Sequence, residues 1–323
     1  MSACRETRPE RSDELRFEVV SRLTLELQAR VNALAHAARA ADHGVSPFGE
    51  HKWLRLIRGD EDSAAVLLWR GTDLLGAADC DVYPARLPNR IRRLAAEAVV
   101  HPAHRRQGLG RRLIREVAAL AGRRDAAELH LWAYGNGPAA RRLAAELGFA
   151  AERRLLQMYM PRERLPEPPP LPRGLRVRAF DPPRDAYRWL AIHNRVFADH
   201  PEQSHWYAAD LQARLEQPWF NPNDLLLVEN ARGTQLHAFC WTKISVDATA
   251  PGEIYILGVD PSARGEGLGR LATSAGLAHI AEAGRPAMLY VEAANRAAVR
   301  MYTGLGFEPR HEHVCYRRAL TSA

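Results

Sequence analysis

The chain has 323 residues, 46% of them hydrophobic and 26% charged, a composition suited to two soluble globular domains. No stretch approaches the roughly 18 consecutive apolar residues of a spanning helix, and the charged opening segment MSACRETRPERSDELRFEVV lacks the apolar core of a secretory signal. The net charge of +7 is spread among 38 acidic residues rather than gathered into a basic stripe with interleaved aromatics, so it suits a polyanionic small molecule and argues against nucleic acid and membrane.

In the first half, a strand ending in Ala98, Val99 and Val100 leads to the turn Arg105, Arg106, Gln107, Gly108, Leu109, Gly110, which opens a helix. ELHLWAYGN (Glu128 to Asn136) and Leu147-Gly-Phe follow. PRERLPEPPPLPR, at 161–173, favours extended backbone and reads as a linker. Beyond it, the patterning predicts strands at 175–180, 224–229, 236–245, 253–259 and 288–292, with a last strand at 311–317. Helices are expected at 184–197, 205–215, 267–283 and 295–305. Each half thus alternates strand and helix, the mark of an α/β layer architecture.

The halves repeat one another. The turn ending at Gly110 reappears as Arg264, Gly265, Glu266, Gly267, Leu268, Gly269, displaced by 159 residues. AMLYVEAAN (Ala287 to Asn295) answers ELHLWAYGN, and Leu305-Gly-Phe answers Leu147-Gly-Phe at a spacing of 158. Three landmarks in one order indicate an internal duplication, with domains at 1–160 and 174–323.

Glycines let such a turn bring its N–H groups against a ligand, and the helix N-terminus adds unspent donors and a positive dipole end. A pyrophosphate fits. The spacing is not the GxGxxG of a dinucleotide fold, and no GKS or GKT follows as in a phosphate-binding P-loop. Four scattered cysteines (Cys4, Cys80, Cys240, Cys315) form no CxxC pair and have no zinc-site spacing, so reduced cytosolic thiols are expected. His193, His200, His205 and His237 read as surface or packing residues, and no metal is expected. Only two lysines occur, Lys52 and Lys243.

The Arg-x-x-Gly-x-Gly turn resembles that of the GNAT N-acetyltransferases. That resemblance implies acetyl-CoA as cosubstrate and, in each half, a mixed, mostly antiparallel sheet flanked by helices. DHGVSPFGEH (Asp42 to His51), VFADHPEQSHW (Val196 to Trp206), QPWFNP (Gln217 to Pro222), FCWTK (Phe239 to Lys243) and GEIYILGVDP (Gly252 to Pro261) further resemble the mycothiol synthases, tandem GNAT enzymes that acetylate the cysteinyl amine of desacetylmycothiol, a thiol pseudo-disaccharide. The likeness covers nearly the whole chain, and a cytoplasmic monomer is expected. It implies CoA contacts at Leu257, Gly258, Val259, Arg264 to Gly269, Arg270, Asn295, Arg296, Ala297, Ala298, Val299 and Arg300. In the first half it implies them at Ala98 to Val100 and Arg105 to Gly110. Glu50, Glu202, Lys243, Glu253 and Tyr290 would contact the acceptor.

The residues allow much of this. Glu253 begins a strand leading into the cofactor turn and suffices to deprotonate an amine with a pKa of roughly 8, though an acid at a strand end is equally a solvated one. Tyr302, seven residues after Asn295 on a helix, is either a packed aromatic or, as the resemblance implies, the acid that protonates the departing thiolate. Lys243, on an apolar strand, meets acceptor hydroxyls or a structural salt bridge. The resemblance also gives the Val259 N–H the role of stabilising the oxyanion. In the first half, Tyr302 is matched by Leu143 or Ala144 and Glu253 by Leu94, with Glu97 on the opposite face from Leu94. Catalysis is therefore expected in the second half alone. Alternatives are another small amine or a protein N-terminus as acceptor, or an acetyl-CoA-binding regulatory module.

Overall fold

A computed structural model describes residues 14–83, 91–167, 170–200 and 206–320. In chain order the elements are β1 (Leu15–Val20), α1 (Leu25–Ala41), α2 (Glu50–Arg58), β2 (Ser63–Arg70), β3 (Asp73–Tyr83), β4 (Arg93–Val100), α3 (Leu109–Arg123), β5 (Glu128–Ala133) and α4 (Pro138–Glu146). There follow β6 (Ala150–Met160), β7 (Leu175–Ala179), α5 (Pro182–Val196), α6 (Ala208–Leu215), β8 (Leu225–Asn230) and β9 (Leu236–Lys243). The chain closes with β10 (Gly252–Val259), α7 (Leu268–Glu282), β11 (Ala287–Glu292), α8 (Arg296–Leu305) and β12 (Glu308–Ala319). The second-half strands and helices fall within a few residues of their expected positions; β8 starts after a short 3-10 turn at Pro222–Asp224.

The chain divides into two compact units, residues 1–154 with 312–323, and residues 155–311. In the first, the strand order is β1-β2-β3-β4-β5-β12, and in the second it is β6-β11-β10-β9-β8-β7. Pairing is antiparallel except for β4 with β5 and β10 with β11, which are parallel, so each unit has the expected mixed, mostly antiparallel sheet. The units differ from the sequence domains 1–160 and 174–323 by an exchange of closing strands. Residues 314–319 of β12 pair with β5, and residues 155–160 of β6 pair with β11. Duplicated halves offer equivalent strand edges, and ladder hydrogen bonds join backbone groups common to every residue, so the exchange costs little.

Local chemistry explains the helices. The Thr24 hydroxyl caps α1 by accepting from the Leu27 N–H at 3.3 Å. Helix α7 buries Leu268, Leu271, Ala272, Leu277 and Ile280 against the sheet of the second unit. Gly276 permits that approach, since a Cβ there would lie 2.4 Å from Cys240 Sγ. The other face of this sheet is covered by α5 and α6 through Trp189, Trp206, Leu211, Phe239, Trp241 and Ile256.

His193 belongs to that second core. It is fully buried, with ring centroids 4.2 Å from Trp206, 4.8 Å from Phe197 and 5.0 Å from Trp189. Burial pushes its pKa down to about 3. Between about pH 6.5 and 3 the unfolded chain therefore binds a proton that the folded unit refuses, so stability falls as pH falls through that window, by on the order of a few kcal/mol. Chemical denaturation at pH 7.5 and 4.5 should show this loss, and His193→Phe should shrink it.

Strand β10 contains a bulge. Its register with β9 runs Glu253↔Lys243 and Ile254↔Thr242, then resumes at Ile256↔Trp241 after one extra residue, Tyr255. Ile254 packs with the α7 core while Ile256 packs with the α5 core, and the Tyr255 ring meets Trp219 and Trp241 on the α5 side. Glu253, one residue before Ile254, therefore faces the α5 side. Strand β4 pairs with β3 without a shift.

Candidate active site

In the second unit β10 is followed by Asp260, whose carboxylate accepts from the Ser262 N–H at 3.0 Å and from Arg195 Nη2 at 2.6 Å. Burial would raise this carboxyl, but Arg195 and Ser262 outweigh it and hold its pKa down to about 2. After a single 3-10 turn, Gly265 at φ 87° and Gly267 at φ 77° reverse the chain into α7. Both adopt the left-handed conformation that side chains resist. A Cβ on either would meet no atom within 4 Å, so the turn lies open. In α7 the Leu271 N–H donates to Gly267 O, which leaves the preceding N–H groups of the first turn unspent on the helix. An open turn, unspent donors and a helix N-terminus fit a pyrophosphate. Asn295 caps α8, its Oδ1 accepting from the Ala298 N–H at 3.1 Å, and Met301 Sδ would lie 3.5 Å from a Cβ on Gly269.

Strands β10 and β11 part before this turn. Parallel pairing between β10 and β11 covers only Gly252–Ile254 with Ala287–Leu289. The Asp260 N–H donates to His237 O on the β9 side. Strand alternation therefore turns the N–H groups of Val259 and Leu257 toward the side where β11 no longer pairs. In the first unit the equivalent strands stay paired as far as Glu97↔Trp132.

Lys243, Glu253 and Tyr290 lie on the α5 face of the second unit's sheet, on the adjacent strands β9, β10 and β11. Lys243 and Glu253 are register partners, and Lys243 Nζ lies 4.4 Å from the Trp219 ring and 5.4 Å from that of Tyr255. Tyr290 alternates with the buried Leu289 and Val291, is 38% exposed, and its hydroxyl accepts from Gln157 Nε2 at 2.8 Å. Tyr302 lies in the α7 core, 6% exposed, edge-on to Phe307 at 5.9 Å. Burial, with the Cys240 thiol adding to it, pushes the phenol pKa well up, so the hydroxyl keeps its proton through the neutral range. Glu202 lies outside the described residues, and Glu50 is the first residue of α2 in the first unit.

The first unit repeats the turn with different chemistry. Gly108 takes φ 77°, but Arg106 occupies the left-handed position held by Gly265 in the second. Arg105 is committed to Asp42 through bonds of 2.7 and 2.8 Å and to Val100 O at 3.1 Å. Of the two residues matching Tyr302, the structure selects Ala144. The Phe149 N–H donates to Ala144 O as the Phe307 N–H does to Tyr302 O.

The bulge at Tyr255 corrects one sequence correspondence. Upstream of it Glu253 answers to Ala95, not Leu94, because Ala95 opposes Asp81 as Glu253 opposes Lys243. Glu97 consequently shares the face corresponding to that of Glu253. It is fully buried, however, and accepts from Lys52 Nζ at 2.7 Å, Tyr134 Oη at 2.8 Å and the Gly49 N–H at 2.5 Å. Sequence reasoning missed this cluster; the lone first-half lysine was its one signal. Cys80, Cys240 and Cys315 are buried and form no disulfide, and no helix among the described residues is long and apolar enough to cross a membrane.

Comparison with known proteins agrees with this architecture. Residues 30–149 match the acetyltransferase (GNAT) family and residues 242–317 the FR47-like proteins. The mycothiol acetyltransferase of Thermobispora bispora is 44% identical over 90% of this chain and 96% of its own length. That of Salinispora arenicola is 42% identical over 95% and 98%. Among solved structures, a tandem GNAT protein from the clavulanic acid biosynthesis pathway superposes with a TM-score of 0.70 at 20% identity, covering 95% of this chain and 98% of that one. A GCN5-related N-acetyltransferase from Sphaerobacter thermophilus reaches 0.65 at 22% identity, covering 97% of each. With a duplicated GNAT fold and end-to-end identity of this order, the chain belongs to the mycothiol acetyltransferase family.

Proposed function

We propose that the chain transfers the acetyl group of acetyl-CoA to the cysteinyl amine of desacetylmycothiol, giving mycothiol and CoA by direct attack of the amine on the thioester. One observation carries the mechanism: the parting of β10 from β11 beside the open glycine turn, with Glu253 on the adjacent face. The turn from Arg264 to Arg270 holds the pyrophosphate, and residues from Asn295 to Arg300 border it. The gap between the parted strands admits the thioester, where the Val259 N–H meets the negative charge developing on its oxygen. Glu253 takes the proton of the attacking amine, directly or through one water, and Tyr302 returns a proton to the leaving sulfur. Lys243 and Tyr290 contact the acceptor. This chemistry asks for no metal ion.

The first unit, in this reading, holds acetyl-CoA at Ala98 to Val100 and Arg105 to Gly110 without turning it over. Supporting that division, Ala144 has no proton to give and Glu97 is enclosed by three donors. The enzyme is proposed to act as a cytoplasmic monomer. The test is CoA release by the purified chain given acetyl-CoA and, separately, desacetylmycothiol, simple amines and a peptide N-terminus. Efficient turnover is expected with desacetylmycothiol. Turnover with another amine alone would overturn the acceptor assignment, and acetyl-CoA binding without turnover of any amine would make the chain a binding module.

A further inference from the structure

We propose that His130, Glu152 and Cys315 of the first unit form a binding site for a divalent cation of the zinc class, separate from acetyl transfer. The three residues come from β5, β6 and β12, and one ligand atom from each lies within 4.8 Å of the other two. His130 Nδ1 is 3.8 Å from Cys315 Sγ and 3.4 Å from Glu152 Oε2. In a tetrahedral site with metal–sulfur near 2.3 Å and metal–nitrogen or –oxygen near 2.1 Å, ligand atoms stand about 3.4–3.6 Å apart. The two separations from His130 are within a few tenths of an ångström of that geometry, and the third pair, Glu152 with Cys315, lies within 4.8 Å.

Lone-pair bookkeeping points the same way. The other ring nitrogen, His130 Nε2, lies 3.1 Å from Glu128 Oε2. A neutral imidazole has one N–H. Spent on Glu128, it leaves the Nδ1 lone pair facing a carboxylate oxygen and a sulfur, a convergence that a cation relieves. Glu128 is itself bonded by Arg317 Nη1, and Arg317 Nε lies 3.6 Å from the other oxygen of Glu152. A metal-binding histidine is ordinarily oriented by such a carboxylate. His130 and Cys315 are buried while Glu152 sits at the rim, which leaves a fourth position for water on the carboxylate side. Sulfur and imidazole in one ligand set favour zinc over magnesium or calcium. Binding forms a metal–sulfur bond, and the thiol proton leaves to solvent. The bound ion ties the chain's last strand to β5 and β6, so it acts as a staple on the first unit.

The experiment is a cobalt titration of the full chain after dialysis against a chelator. One equivalent of Co²⁺ should bind, with a sulfur-to-cobalt charge-transfer band and visible bands of tetrahedral intensity, both displaced by Zn²⁺. Zn²⁺ should also raise the melting temperature. Cys315→Ser should abolish the charge-transfer band, and Glu128→Gln should keep it while weakening affinity about 10–100-fold. Should Cys315→Ser fail to fold, the rim variant Glu152→Gln replaces it, with weaker binding expected. No stoichiometric uptake, or a spectrum indifferent to these substitutions, would overturn the site. The cluster would then be a polar network within the first unit's sheet and nothing more.

Discussion

Replacing Glu253 with glutamine is expected to lower kcat at pH 7 roughly a hundredfold, within the 10²–10⁴ range of general-base contributions, and to leave the KM for acetyl-CoA nearly unchanged. The side chain lies on the α5 face while the glycine turn proposed to hold CoA lies beyond the far end of β10, so the two proposed functions are spatially separate. The pH dependence distinguishes a base from a binding group. An α-amino group with a pKa near 8 is mostly protonated at pH 7 and mostly neutral at pH 9. If Glu253 removes its proton, the deficit of the variant should shrink as pH rises and the amine deprotonates in solution. A deficit equal at both pH values would make Glu253 a binding residue, and an undiminished rate at pH 7 would place the base elsewhere. CoA release followed against pH reads all three outcomes.

The second large effect concerns stability. Lys52→Met is expected to destabilise the first unit by about 3–5 kcal/mol, because removing one member of a buried ion pair strands the other. Lys52 is 4% exposed and Glu97 is fully buried, with 2.7 Å between Nζ and Oε1. Asp79, the register partner of Glu97, is also fully buried. Its carboxyl is pushed well above the usual range, first by burial and then by the neighbouring Glu97 and Asp81 charges. Adding Glu97→Gln to Lys52→Met should recover much of the loss, since the pair is then absent rather than broken. Urea denaturation of the wild type, both single variants and the double variant measures the coupling. Coupling below about 0.5 kcal/mol would show that the contact carries little.

The glycine turn and the strand and helix order were legible because their causes are local. Gly265 and Gly267 adopt left-handed angles that the turn demands wherever it occurs, and apolar periodicity marks an element whatever it packs against. The face that Glu253 occupies was harder to read. Matching the halves by a constant offset assigned Glu253 to Leu94 and set Glu97 apart, because no matched landmark lies upstream of the bulge to reveal the one-residue change in offset. One extra residue at Tyr255 inverts the facing of everything before it.

From residues alone came the duplication, the glycine turn and the absence from the first half of a phenol matching Tyr302; these depend on residue identity at fixed spacing. Tertiary structure decided which unit each closing strand joins, how far β10 stays paired with β11, and where Lys52 and Glu97 meet. It also brought His130, Glu152 and Cys315 together from three strands. Those outcomes depend on strand register and on which backbone edges meet, and ladder hydrogen bonds are made by groups that nearly every residue shares.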